Sequence, residues 1–143
     1  MIVALTGGTL VDGNGGQPLP NATILIEDER ITQVGHAANT PTPPGARVID
    51  LAGKWVMPGM VDGHIHMCGE PDPDPAYPLK GLAAYASIRG VAAALKLLDM
   101  GFTAARDMAD INFSGVALKQ AIDLGVVPGP RPQLVPYWPT SST

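Results

Sequence analysis

VDGHIHM, Val61–Met67, follows an apolar approach that closes on Pro58-Gly59, and it sets two of the chain's three histidines one residue apart. With Met60 the run is short, largely apolar and fronted by residues that punctuate structure, so it reads as a strand over Met60–Met67. Side chains alternate along a strand, so His64 and His66 are expected on one face, with Asp62 and Cys68 in phase. Two imidazoles so placed can reach a single divalent ion, and neutral imidazole nitrogen suits Zn²⁺ foremost. Spacing alone also fits two polar residues at a strand end, because short motifs match often by chance. The flanks favour a metal role: an acid two residues earlier, a Pro-Gly lead-in, and a long loop afterwards.

Downstream, the pattern changes from loop to alternating elements. Cys68–Lys80 is a loop, with Glu70, Asp72 and Asp74 set among Pro71, Pro73, Pro75 and Pro78. Proline interleaving excludes the regular ligand spacing and glycine turn of a calcium loop. GLAAYASIRGVAAALKLLDM, Gly81–Met100, carries Ile88, Val91, Leu95 and Leu98 at helical spacing, and Gly101 suits the left-handed residue that closes a helix. Phe102–Arg106 reads as a second strand. Ser114 is expected to N-cap a helix that runs to Leu124 and is closed by Gly125. Gln133–Tyr137 begins a third strand. Strand, helix, strand, helix, strand is the βαβ pattern of a parallel sheet.

Upstream, residues 1–57 read as short strands with turns between them. Ile2–Thr6 and Thr9–Val11 flank Gly7-Gly8, and Ala22–Glu27 and Arg30–Val34 flank Asp28-Glu29 as a tight hairpin. Asn14–Pro20 and Asn39–Gly45 are Gly/Pro loops. Arg47–Leu51 and Trp55–Met57 add two strands. The expected fold is α/β: part of a small β-sandwich over 1–57, then over 58–143 the first two βα units of an incomplete (β/α)₈ barrel. A closed barrel needs about 250 residues, so the chain reads as the opening portion of a larger enzyme.

Composition limits the function classes. The 143 residues are 45% hydrophobic and 15% charged, with net charge −4 and scattered basic residues. That argues against a nucleic-acid or anionic-membrane surface. One cysteine, Cys68, cannot form an internal disulfide, and no Lys or Arg precedes Arg30. The expected location is therefore the cytoplasm, with no membrane span.

On these residues the chain resembles the amidohydrolase superfamily. GKWVMPGMVDGHIHM (Gly53–Met67) resembles its first barrel strand, which ends Asp-x-His-x-His, here Asp62, His64 and His66. ALTGGTLVDGNGG and ATILIEDERITQVG resemble its sandwich segment, and GFTAARDM (Gly101–Met108) its second strand. The nearest subgroup is the imidazolonepropionase-like and prolidase-like hydrolases. The resemblance implies that His64 and His66 bind one of one or two divalent metals, zinc first among them. Metal-activated water then attacks an amide, peptide or cyclic C–N bond of a small molecule, a dipeptide being the favoured substrate. It implies further ligands on later barrel strands, and a full-length protein that can self-associate. The alternatives are a non-catalytic structural or assembly member of the same fold, and a deaminase of the same superfamily.

The remaining candidates are weighed against blander roles. Catalytic zinc usually keeps three protein ligands, so two histidines leave the set short and the 143-residue chain alone is expected to be inactive and weakly stable. His36 lies in the sandwich half, and Lys54, Lys80, Lys96 and Lys119 end no predicted barrel strand. Asp62 reads equally as a residue that orients an imidazole and as a turn acid. Arg106 can meet a substrate carboxylate, with a salt bridge to Asp107 or to another neighbouring residue the plainer expectation. Tyr77, Tyr85, Phe102 and Phe113 are expected to be packing residues. PQLVPYWPTSST, residues 132–143, departs from the family pattern, as a premature end, a frame-shifted tail or a divergence.

Overall fold

The computed structural model describes residues 1–69, 82–108 and 112–135. The loop carboxylates Glu70, Asp72 and Asp74, together with Tyr77, Lys80 and the end of the expected third strand, lie outside the described residues. The chain divides into two compact units, Met1–Pro58 and Gly59–Thr143.

The first unit is a mixed sheet of β1 (Ile2–Leu10), β2 (Leu19–Glu27), β3 (Arg30–His36), β4 (Arg47–Asp50) and β5 (Trp55–Val56). The strand order is β3-β2-β1-β4, with β5 also paired to β1. Gly7-Gly8 does not divide two strands. β1 runs through it with shifts of register, because Gly7 takes φ +81° and absorbs the irregularity. That step lets β1 pair in parallel with β4 through Val3–Thr6 and with β5 through Thr9–Leu10. The β2–β3 hairpin forms as expected. Glu27 pairs with Arg30 across Asp28-Glu29, and Asp28 takes the positive φ of 54° that such turns demand. Ala22, Thr23, Ile24 and Leu25 are buried in succession, so both faces of β2 are covered there. Among the described residues this unit is a single sheet.

The second unit alternates β6 (Met60–Ile65), α1 (Ala83–Asp99), β7 (Phe102–Asp107), α2 (Ser114–Asp123) and β8 (Arg131–Leu134). Its three strands form one parallel sheet in the order β6-β7-β8. Gly101 (φ +89°) and Gly125 (φ +69°) follow the two helices in the left-handed conformation, as their positions demand. Ser114 is not the N-cap of α2. Phe113 occupies that position at φ +63°, and Ser114 is the first helical residue, buried, with its carbonyl accepting the Ser87 hydroxyl at 3.1 Å.

The face that α1 buries differs from the one its large side chains suggest. Ile88 is 69% exposed and Leu95 41%, whereas Ala86, Gly90 and Ala94 are buried. These three recur every fourth residue and form a narrow stripe of small side chains. The stripe lets α1 approach closely enough to meet Cys68 and Leu118, in a core shared with Met67. Ile65, Val91, Leu97, Ile122 and Val127 pack around that cluster. Full burial of Leu118 contributes about 1.5–3 kcal/mol. Tyr85 and Phe113 are each more than half exposed, so neither is the packing residue expected from sequence.

Candidate metal centre

His64 and His66 stand at the C-terminal end of β6 on either side of Ile65. Ile65 packs into the helix-side core, so alternation sends both imidazoles to the opposite face of the sheet. Both histidines are exposed, and their ring centroids lie 5.2 Å apart with the planes at 79°. The rings do not stack. They stand edge to face, with nitrogen donors on neighbouring side chains of one surface.

Asp62 is not in phase with them. The register with β7 shifts between Asp62 and Ile65: Asp62 pairs with Ala105 and Ile65 with Asp107, so three steps along β6 match two along β7. The extra residue frees the His64 amide from the ladder, and the Asp62 carboxylate accepts it at 3.0 Å. Asp62 thus holds the backbone of His64 and not its ring. Cys68 is also out of the set. The strand ends at Ile65, and Cys68 turns into the helix core, where it is 1% exposed.

Arg106 and Asp107 occupy opposite faces of β7. Asp107 shares the face of its register partner Ile65 and is 1% exposed, while Arg106 is exposed on the face that carries the histidines. A mutual salt bridge is therefore precluded by alternation, and among the described residues Arg106 makes no ion pair. His36 belongs to the first unit, where its Nδ1 accepts the Ala38 amide at 3.2 Å in a local turn. Lys119 pairs with Asp123 one helical turn on, at 2.8 Å.

One contact here has a faint signal in the sequence. Beyond β6, the Met67 N–H donates to the buried Asp107 carboxylate at 3.3 Å, and the Gly69 N–H to the His66 carbonyl at 3.2 Å. An acid at an inward strand position is the only hint of the first, since nothing local predicts a partner 40 residues away.

The donor set suits a divalent cation in part. Two neutral imidazoles are the ligand type that zinc favours, and a catalytic zinc site normally takes three protein ligands. Among the described residues no group of three His, Cys, Asp or Glu side chains converges. Likewise among them, no helix is long and apolar enough to cross a membrane.

No protein-family model matches the chain. Ochratoxinase of Aspergillus niger is 33% identical over 139 residues, which is 91% of this chain and 27% of that protein. Adenine deaminase of Rubrobacter xylanophilus is 37% identical over 65 residues, 46% of this chain and 11% of that protein. Among solved structures, a prolidase complexed with N-methylphosphonate-L-proline superposes with a TM-score of 0.82 at 31% identity, over 95% of this chain and 32% of that one. A Xaa-Pro dipeptidase with bound methionine in its active site gives 0.84 at 25% identity, over 96% and 34%. The chain thus spans about a third or less of the length of the proteins it matches. These relatives and structural neighbours are amidohydrolases, and the chain is related to the amidohydrolase superfamily by both sequence and fold.

Proposed function

We propose that this chain forms the opening part of a metal-dependent amidohydrolase: a partial β-sandwich followed by the first βα units of a (β/α)₈ barrel, with His64 and His66 as two ligands of a divalent metal, zinc first among the candidates. The observation that carries the reading is the pair of imidazoles 5.2 Å apart on one face, at the C-terminal end of the first of three parallel strands. In parallel barrels that end opens onto the active site. A divalent ion bound there supplies Lewis-acid polarisation and lowers the pKa of water towards about 7.

The chain's own residues supply the positioning. Asp62 fixes the His64 backbone through its amide. Arg106, on the histidine face, offers a planar guanidinium for a substrate carboxylate, and two parallel hydrogen bonds would set that group's direction. This favours a small molecule with both a scissile C–N bond and a free carboxylate, of which a dipeptide is the simplest. The prolidase and Xaa-Pro dipeptidase matches, each covering at least 95% of the chain, support that substrate class. The second reading, a deaminase, rests on the adenine deaminase match and spans only 46% of the chain.

With two metal ligands among its described residues, the chain by itself is expected to bind zinc weakly and to turn over no dipeptide. Zinc titration of the purified chain, followed through the histidine ring signals by NMR, tests the reading. His64→Ala or His66→Ala should weaken binding at least about tenfold, since even partners outside the ligand set change metal affinity about 10–100-fold. The double variant should abolish it. Zinc that binds equally well to the double variant would refute the assignment.

A further inference from the structure

His66 lies one residue past the end of β6, where the ladder of its own strand no longer fixes it. The next strand holds it instead. The Met108 N–H donates to the Ile65 carbonyl at 2.9 Å, immediately before His66, and the Asp107 carboxylate accepts the Met67 N–H immediately after it. Asp107, the last residue of β7, and Met108, which follows it, therefore grip the chain on both sides of one imidazole. The bond from Gly69 to the His66 carbonyl tightens the same turn, and a Cβ at position 69 would press on the His66 Cβ at 3.0 Å.

A carboxylate is a costly group to place at such depth. Removing its charge from water costs several kcal/mol unless hydrogen bonds compensate, and an apolar side chain would fill the slot at less cost if packing were all that mattered. Asp107 is 1% exposed and beside the residue that follows His66, so its acceptor geometry is what an apolar residue could not replace. A metal site demands ligands held within about 0.5 Å of the productive position.

We propose that Asp107 is a positioning residue: acting through the Met67 amide, it fixes the backbone at His66 and hence the direction of that imidazole. The proposal deepens the metal-site reading and rests on it for its purpose, while the geometric part can be read without metal. Asp107→Leu fills the slot and removes the acceptor, Asp107→Asn retains a carbonyl acceptor, and Ile122→Ala loosens the same core without touching β6 or β7. In Asp107→Leu the Met67 amide should exchange with solvent at least about tenfold faster than the general loosening seen at α1 amides, because local opening reports on the bond that closes it. The His66 Cα and ring chemical shifts should move with it.

Zinc affinity, measured with zinc alone, should fall about 10–100-fold in Asp107→Leu, as for other groups that hold a ligand without touching metal. Asp107→Asn should recover most of both effects, and Ile122→Ala should produce neither at equal loss of thermal stability. If Asp107→Leu does not fold, Asp107→Glu, which moves the acceptor by one methylene, should give an intermediate response. Unchanged Met67 exchange and His66 shifts would overturn the proposal, as would an equal zinc loss in Ile122→Ala. Failure of the wild-type chain to bind zinc through the histidines would sink the metal-site reading alone, and Met67 exchange with the His66 shifts would then decide the role of Asp107.

Discussion

Gly90→Ala is expected to lower the stability of the second unit by about 1–2 kcal/mol, although the same change inside an ordinary helix raises it by about 1 kcal/mol. Gly90 sits mid-helix in α1, where backbone entropy argues for alanine. The opposing effect is steric. A Cβ at this position would lie 2.7 Å from the Cys68 sulfur and 2.8 Å from Leu118 Cδ2. Both neighbours are almost wholly buried, so neither has room to yield. Gly90→Val, with two more methyl groups, should cost about 3 kcal/mol or more. Cys68→Ala removes one of the two atoms in the way, so the Cys68→Ala/Gly90→Ala pair should be more stable than the sum of its single changes by about 1 kcal/mol. Urea unfolding of the four proteins measures this coupling, and strict additivity would show that the two positions do not compete for space.

The second large effect is expected at Gly59. A Cβ there would collide with the Thr103 side chain, whose own Cβ would stand only 2.7 Å away. That atom is fixed by the β7 backbone, so no rotation about χ1 relieves the contact. The clash lies where Met60 begins to pair with β7, its N–H donating to the Gly101 carbonyl at 2.9 Å. Gly59→Ala should therefore push β6 off β7 and cost about 2–3 kcal/mol. Thr103→Ala removes two of the three colliding atoms and should return part of that loss. A thermal unfolding series of wild type, Gly59→Ala and the double variant checks both statements. A Gly59→Ala protein as stable as wild type would mean that the strands do not meet this closely.

Local chemistry made most of the fold legible in the sequence. The hairpin at Asp28-Glu29, the helix closures at Gly101 and Gly125, and the strand–helix alternation after Pro58 all follow from residues acting on their immediate neighbours. The misreadings have one physical source: partners distant in the chain. Simple alternation would place Val61 with Ile65, yet Val61 is 70% exposed, because the register shift against β7 changes the phase of β6 between Asp62 and Ile65. The same shift turns Asp62 from a presumed companion of the imidazoles into a holder of the His64 amide. The α1 periodicity correctly indicated a helix. Ile88 and Leu95 nevertheless point away from the buried stripe, which is made of small side chains that permit close approach, while Val91 and Leu97 pack at its margin. At the candidate site the two histidines were legible from spacing and context. The bond from Met67 to Asp107 was not, since it joins residues on different strands.

The small-residue stripe of α1 has a further consequence, for the entropy of docking. Ala86, Gly90 and Ala94 have no side-chain rotamers to immobilise, so seating the helix on them freezes almost no side-chain freedom. The apolar area each contributes is correspondingly slight. Attachment of this helix therefore depends on a close match of surfaces more than on the amount of surface hidden, and its strength should change steeply with the size of any one of three side chains and only shallowly with their polarity.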